Sequence, residues 1–309
     1  MWSRCALATL ALLLHSAASY KVAVTGAAGK TGQLAFKLLT NKNNVDVIGT
    51  VRKTDKKTIR KVVKTVQDKE KVKRDLHAVD VTQGPGQLAK LLKDEKVDAL
   101  LIATSASPKI SMRSLLKLLL FKLIGRKGMR PTFKFRPGGT PEEVDWLGQK
   151  AQIDAALEAG VSRIVICSSM GGTQPDNFLN SIGKKPDGTG GDILKWKRKA
   201  EEYAIKSGIE YTIIHPGGLL DKPGGRRILL GVDDELLERK VRSIPREDVA
   251  EIMVESLFLP QLVNRSIDII SEDVPREQGE LVETLSSSTD IGNCDYSKSP
   301  GSPASMFMN

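Results

Sequence analysis

The sequence predicts an α/β chain, a single doubly wound domain with a mostly parallel sheet. Two observations carry that expectation. Short runs rich in Val, Ile and Leu alternate with longer stretches of helical period, and the runs are continuously apolar, as strands covered on both faces must be. A third observation is the glycine-rich turn at Gly26, Gly29 and Gly32 that closes the first strand.

In chain order, residues 1–19 read as a secretory signal peptide. Arg4 supplies the positive start, residues 5–14 the apolar run, and Ser16-Ala17-Ala18 a small-residue cleavage site. That run is too short to span a bilayer; a buried N-terminal helix is the alternative. Strands are expected at 21–26, 46–52, 76–81, 98–104, 162–168, 210–216 and 266–271. Helices are expected at 30–39, 87–94, 145–159, 192–206 and 246–257, with Gly160 and Gly208 placed to end the third and fourth. The domain spans 20–272. Residues 273–309 are rich in Ser, Pro and acids without an apolar period, and are expected to be disordered. Cleavage would leave Cys167 in an apolar strand and Cys294 in the polar tail, so no disulfide framework follows.

The chain has 309 residues, 40% of them hydrophobic, which is too apolar for a disordered protein. Its net charge of +10 raises nucleic acid as a partner, but the charge is local. Residues 52–74 carry +8 and residues 109–136 carry +9, leaving −7 on the remainder. No nucleic-acid partner is expected.

The turn Gly26-Ala27-Ala28-Gly29-Lys30-Thr31-Gly32 lies between a strand and a helix. Glycines at those spacings let backbone N–H groups approach a pyrophosphate at a helix N-terminus, which points to a dinucleotide. A P-loop is excluded, because Val24 stands where its first glycine belongs. The second strand ends at Arg52, where a carboxylate would favour NAD; a cation suits the 2′-phosphate of NADP instead. A solvated basic loop is the other reading of that arginine. Asp80, closing the third strand, either lies by the adenine or simply opens a turn.

With these residues in place, the chain resembles the atypical short-chain dehydrogenase/reductases of the NmrA-like NAD(P)-binding group. It is similar above all to plant NAD(P)-binding Rossmann proteins related to the NADPH-binding subunit of the chloroplast translocon. The resemblance covers about 20–272 and rests on TGAAGKTGQ (25–33), PEEVDWLGQKAQIDAALEAGV (141–161), SSMGGTQPDNFLNSIG (168–183) and two longer runs within 193–252. It implies a Rossmann-type fold with NADP at the C-terminal edge of the sheet. By position it places Gly26, Lys30, Thr31 and Gly32 around the pyrophosphate, and Arg52 on the 2′-phosphate. Asp80 and Val81 would flank the adenine, and Thr104, Ser105 and Ala106 the ribose. Ser169, Met170, Lys197, His215, Pro216, Gly217 and Gly218 would approach the nicotinamide.

Hydride transfer to a carbonyl needs a proton donor beside the nicotinamide. Fully equipped members of the superfamily carry Tyr-x-x-x-Lys, but four residues before Lys197 stands Ile193. The candidate catalytic residues are therefore Lys197, His215 and Ser169, each with a second reading. Lys197 either holds the nicotinamide ribose or is solvated on a basic helix. His215 stands where related plant proteins carry Arg, and is either a proton donor near neutral pH or a packed polar residue bonded to backbone. Ser169 either meets a substrate carbonyl or belongs to a strand-to-loop turn. No His, Cys and carboxylate group has metal-ligand spacing, so no metal is expected.

Two basic segments stand apart. Residues 54–73 fit an amphipathic helix on the adenosine side, and residues 114–130 either contact a membrane surface or form a lid or packed helix, the latter favoured. The functional expectation is an NADP-dependent oxidoreductase acting on a small carbonyl or enone. The alternative is a non-catalytic NADP(H)-sensing regulatory or scaffold protein. The missing Tyr favours the alternative; Lys197, Gly217 and Gly218 favour the enzyme. The leader points to the secretory pathway, or to a plastid reached through the ER.

Overall fold

The computed structural model describes residues 19–298, apart from 113, 115, 117–119, 122–131 and 186. The expected signal peptide thus lies outside the described residues, as does most of the 114–130 segment. Among the described residues no helix is long and apolar enough to cross a membrane.

All seven expected strands form: β1 (Tyr20–Thr25), β2 (Val45–Val51), β3 (Leu76–Ala78), β4 (Ala99–Ile102), β7 (Arg163–Cys167), β8 (Glu210–Pro216) and β12 (Arg265–Pro275). With β10 (Arg226–Gly231) they make one eight-stranded sheet in the order β3-β2-β1-β4-β7-β8-β12-β10. Neighbours run parallel except β10, which is antiparallel to β12. Two short pairs lie outside it: β5 (Lys109–Ile110) with β6 (Phe133–Lys134), and β9 (Gly218–Leu220) with β11 (Ser243–Pro245).

The helices are α1 (Gly32–Thr40), α2 (Lys56–Val66), α3 (Lys69–Asp75), α4 (Gly86–Asp94) and α5 (Gln149–Ala159), which continues a wider π turn at Glu142–Gly148. After these come α6 (Phe178–Ser181), α7 (Ile193–Lys206), α8 (Arg246–Glu255), α9 (Glu280–Ser286) and α10 (Ser288–Ile291).

Strand side chains alternate between faces, and the cores follow that period. Val22, Val24, Leu101, Val165 and Ile214 pack with Phe36 and Leu39 of α1 and Val249 and Met253 of α8. The intervening Ala23, Leu100, Ile102, Ile164 and Ile213 pack with Leu88 and Leu92 of α4 and Ile153 of α5. This doubly wound Rossmann architecture is the one expected. Its chain reverses direction of build between β1 and β4, and such a crevice is where α/β folds bind nucleotides.

Two expectations need correction. The 54–73 segment is two helices, because Gln67 adopts the left-handed conformation (φ 65°) and ends α2. Residues 273–298 are ordered: β12 runs to Pro275, and Leu281, Leu285 and Cys294 are buried. Three apolar anchors spaced through a polar segment lack a sustained period, yet they are enough to fasten it. Residues 299–309 lie outside the described residues.

Candidate functional site

The glycine turn is pressed against the loop that follows β4. Gly26 has φ +72°, and a Cβ there would lie 2.8 Å from Ala103 O. A Cβ on Gly32 would lie 2.3 Å from Gly26 O, so α1 can begin this close to the turn only with glycine. Among the described residues the backbone N–H groups of Lys30, Thr31 and Gly32 find no acceptor. Free amides at the start of a helix suit the oxygens of a phosphate.

Around the turn, Lys61 Nζ donates to Ala28 O at 2.5 Å, which ties α2 to the glycine turn. Arg52 is exposed after β2 and makes no ion pair among the described residues. Lys30 pairs with Asp221, whose other oxygen takes Arg246, and these two cations hold the Asp221 carboxyl below the usual range. Asp80 accepts from Thr82 N at 3.2 Å and Thr82 Oγ1 at 2.8 Å, so it does open the turn at Val81.

At the crevice, one helix face supplies a polar wall that sequence reasoning missed. Asp145, Gln149 and Gln152 follow at intervals of four and three, and all are fully buried. Gln152 Nε2 donates to Thr104 Oγ1 at 3.0 Å, and its Oε1 accepts from Thr25 Oγ1 at 2.5 Å. Asp145 Oδ2 accepts from Ala106 N at 3.0 Å, while Oδ1 stands 2.9 Å from Lys197 Nζ. Gln149 has neither end of its amide paired. A buried amide without partners carries a desolvation cost that a bound ligand relieves. The i, i+4, i+7 spacing of these polar residues within an otherwise packing helix was the available signal.

Lys197 is 5% exposed, which overturns its solvated reading. Burial pulls its ammonium down, but the Asp145 charge more than offsets this and holds it above the usual lysine value. Ser169, half-buried past β7, donates to Met170 O at 3.0 Å, and Ser105, past β4, is exposed. Met170 and Pro216 are buried and joined by a 3.2 Å backbone bond, and Gly217 leads into β9, which Gly218 starts. Next to this edge lies a cavity of about 230 Å³ lined by Gly172, Pro175, Asn180, Asp192, Lys195 and Arg198, with Leu194 beneath.

His215 does not reach that cavity. It is fully buried, Nδ1 is 3.0 Å from Asp268 Oδ1, and Nε2 is 3.1 Å from Glu201 Oε2. Of its two readings, the packed one had it bonded to backbone, whereas its partners are side chains, and with both ring nitrogens engaged it is not placed to donate a proton to substrate. Burial alone would lower its value, but Glu201 and Asp268 raise it well above that of ordinary histidine. Arg198 shares Glu201 at 3.1 Å and its guanidinium covers the Tyr296 ring at 5.0 Å. Ser168 completes the network by donating to Glu201.

The free amides of the glycine turn and the crevice at the sheet's switch point define a nucleotide-binding Rossmann protein. The chain belongs to the NAD(P)H-binding family, whose profile matches residues 26–260. Among its relatives, an uncharacterized chloroplastic protein of Arabidopsis thaliana is 43% identical over 253 residues, covering 81% of this chain and 69% of that protein. Sanguinarine reductase of Eschscholzia californica is 37% identical over 284 residues, covering 88% of this chain and 95% of the reductase. An oxidoreductase of Lactococcus lactis has the same fold, with a TM-score of 0.57 at 20% identity, over 88% of this chain and 98% of that one.

Proposed function

We propose that the protein is an NADPH-dependent oxidoreductase that reduces a small carbonyl or enone. The observation carrying this reading is the buried Lys197–Asp145 pair, which Asp145 ties to the loop after β4 through Ala106 N. The residues present fit the cofactor: unbonded amides at 30–32 face the phosphate position, and Arg52 is free for a 2′-phosphate. NADPH, when bound, supplies the hydride. Asp80 and Val81 would meet the adenine, and Thr104, Ser105 and Ala106 the ribose. Met170, Pro216, Gly217 and Gly218 would border the nicotinamide.

Lys197 stays charged, and Asp145 fixes where its ammonium points, so it would hold ribose hydroxyls and stabilise negative charge growing on a substrate oxygen. Ser169, half-buried at the same edge, would turn its hydroxyl away from Met170 O to donate to that oxygen. Asp145 also bonds the amide of Ala106, so one carboxylate positions the ribose loop and the lysine together. The similarity to sanguinarine reductase over nearly its whole length supports reductase chemistry.

A second reading, cofactor sensing without turnover, has one observation in its favour. Ile193 occupies the place of the superfamily's tyrosine, and the nearest tyrosine hydroxyl on α7, Tyr203, is engaged with Asp154 at 2.5 Å.

NADPH oxidation across a panel of carbonyls, enones and sanguinarine separates the two. Turnover on at least one compound is expected, with Ser169→Ala slowing it. Tight NADPH binding with no turnover on any compound rejects the enzyme. Arg52→Ala should cost about 10- to 150-fold in NADP affinity and nothing for NAD, the scale of one charge-assisted contact of about 1.5–3 kcal/mol. Equal NAD and NADP affinity in the unmutated protein refutes the 2′-phosphate assignment.

The chloroplastic relative supports a plastid location. Sequencing the mature N-terminus of the native protein, with its compartment, tests that. A cleaved secretory leader on protein outside plastids rejects it.

A further inference from the structure

We propose that His215, Asp268 and Cys294 form a buried zinc site that fastens the C-terminal segment to the sheet. No local motif announces it, since the three residues come from β8, β12 and the segment after α10. The fold brings one ligand atom from each to a common point. His215 Nδ1 is 3.0 Å from Asp268 Oδ1 and 3.5 Å from Cys294 Sγ, and Sγ is 3.7 Å from Oδ1. Tetrahedral zinc bonds of about 2.0 Å to N or O and 2.3 Å to S put neighbouring ligand atoms about 3.3–3.6 Å apart. The triangle is therefore within a few tenths of an ångström of what the ion needs.

The surroundings of the imidazole agree. A metal-binding histidine usually donates its other N–H to a carboxylate, which fixes the tautomer. Here Nε2 lies 3.1 Å from Glu201 Oε2, and Glu201 is in turn held by Arg198 and Ser168. Ionised Asp268 and Cys294 balance the two charges of the ion, while Arg198 balances Glu201, so no net charge is stranded in the interior. A fourth position falls to water, arriving past Cys294, the one ligand with measurable exposure at 6%.

The competing arrangement uses the same atoms without metal, as an imidazolium that donates Nδ1–H to Asp268 and Nε2–H to Glu201. That arrangement leaves the thiol as a weak hydrogen-bond partner at 3.5 Å, and gives it no further function. Zinc instead makes Cys294 a ligand, and ties residue 294 to residues 215 and 268 across the sheet.

The test uses the purified full chain and is independent of any reductase activity. Metal-free protein is loaded with Zn²⁺ or Co²⁺ and dialysed against a weak chelator. One retained metal per chain is expected, and for Co²⁺ a near-ultraviolet thiolate-to-metal absorption band. Cys294→Ser should abolish the band, and Cys167→Ser should leave it unchanged. Metal should also protect residues 276–298 from limited proteolysis. No retained metal in the unmutated chain overturns the proposal, whatever the variants do, and so does a band that survives in Cys294→Ser.

Discussion

Asp145→Asn keeps the shape and one acceptor of the side chain but removes its charge, which leaves the Lys197 ammonium buried without its partner. Asp145 is fully buried and the Lys197 side chain is 7% exposed, so water can do little to screen the loss. Breaking a buried pair from one side costs about 3–5 kcal/mol. The Ala106 amide keeps its bond to the remaining oxygen, so the deficit reports the charge and little else. By equilibrium urea unfolding this is a clear shift in midpoint. In a domain of this size it corresponds to a fall in Tm of roughly 6–20 °C, at about 2–4 °C per kcal/mol. Replacing both partners, as Asp145→Leu with Lys197→Met, should recover most of the stability, since an apolar pair carries no desolvation cost. The pH dependence has a definite sign. Lys197 is held above its ordinary value, so its contribution is full below about pH 10.4 and is lost as pH climbs through the folded value. In Asp145→Asn burial acts on the Lys197 ammonium without the opposing charge and pulls its value down, so the variant can shed that proton and its gap to wild type should narrow as pH rises through the alkaline range. A deficit under about 1 kcal/mol at neutral pH, or one that stays level as pH rises to about 10, refutes a charged and buried Lys197.

Two other substitutions probe the frame. Gly32→Ala forces a Cβ against Gly26 O, so it should destabilise by about 1–3 kcal/mol and abolish NADPH binding in a fluorescence titration; unchanged affinity would disprove the close approach. Leu285→Ala empties a fully buried position in α9 and should cost about 2–5 kcal/mol in urea unfolding, whereas a neutral result would mean residues 276–298 are not part of the folded core.

The parallel core was legible because each strand must be apolar on both faces, and Val22–Val24, Leu100–Ile102 and Ile164–Ile166 say so directly. Gly26 and Gly32 were legible because their close packing tolerates no side chain. What stayed hidden depends on distant residues meeting. Asp145 and Lys197 are separated by the whole of β7 and its loop, and nothing in either neighbourhood names the other. His215 looked like a candidate acid because a strand-end histidine is ambiguous until its partners are known, and Asp268 and Cys294 arrive much later in the chain. The C-terminal segment misled for the opposite reason. Its composition is polar on average, and the average conceals Leu281, Leu285 and Cys294, which decide its fate.

The placement of that segment also sets an order of events during synthesis. Leu281 and Leu285 complete the core on the α1 and α8 face, while Cys294 and Tyr296 cover Arg198, Glu201 and His215 on the other. Until residues 281–296 have emerged, the nascent chain carries an open apolar seam on one side and uncovered charges on the other. Domains close as units as they emerge. A chain that stopped before residue 280 would therefore keep the glycine turn and the strands around it but leave its far edge unsealed, a substrate for chaperones that the longer chain is not.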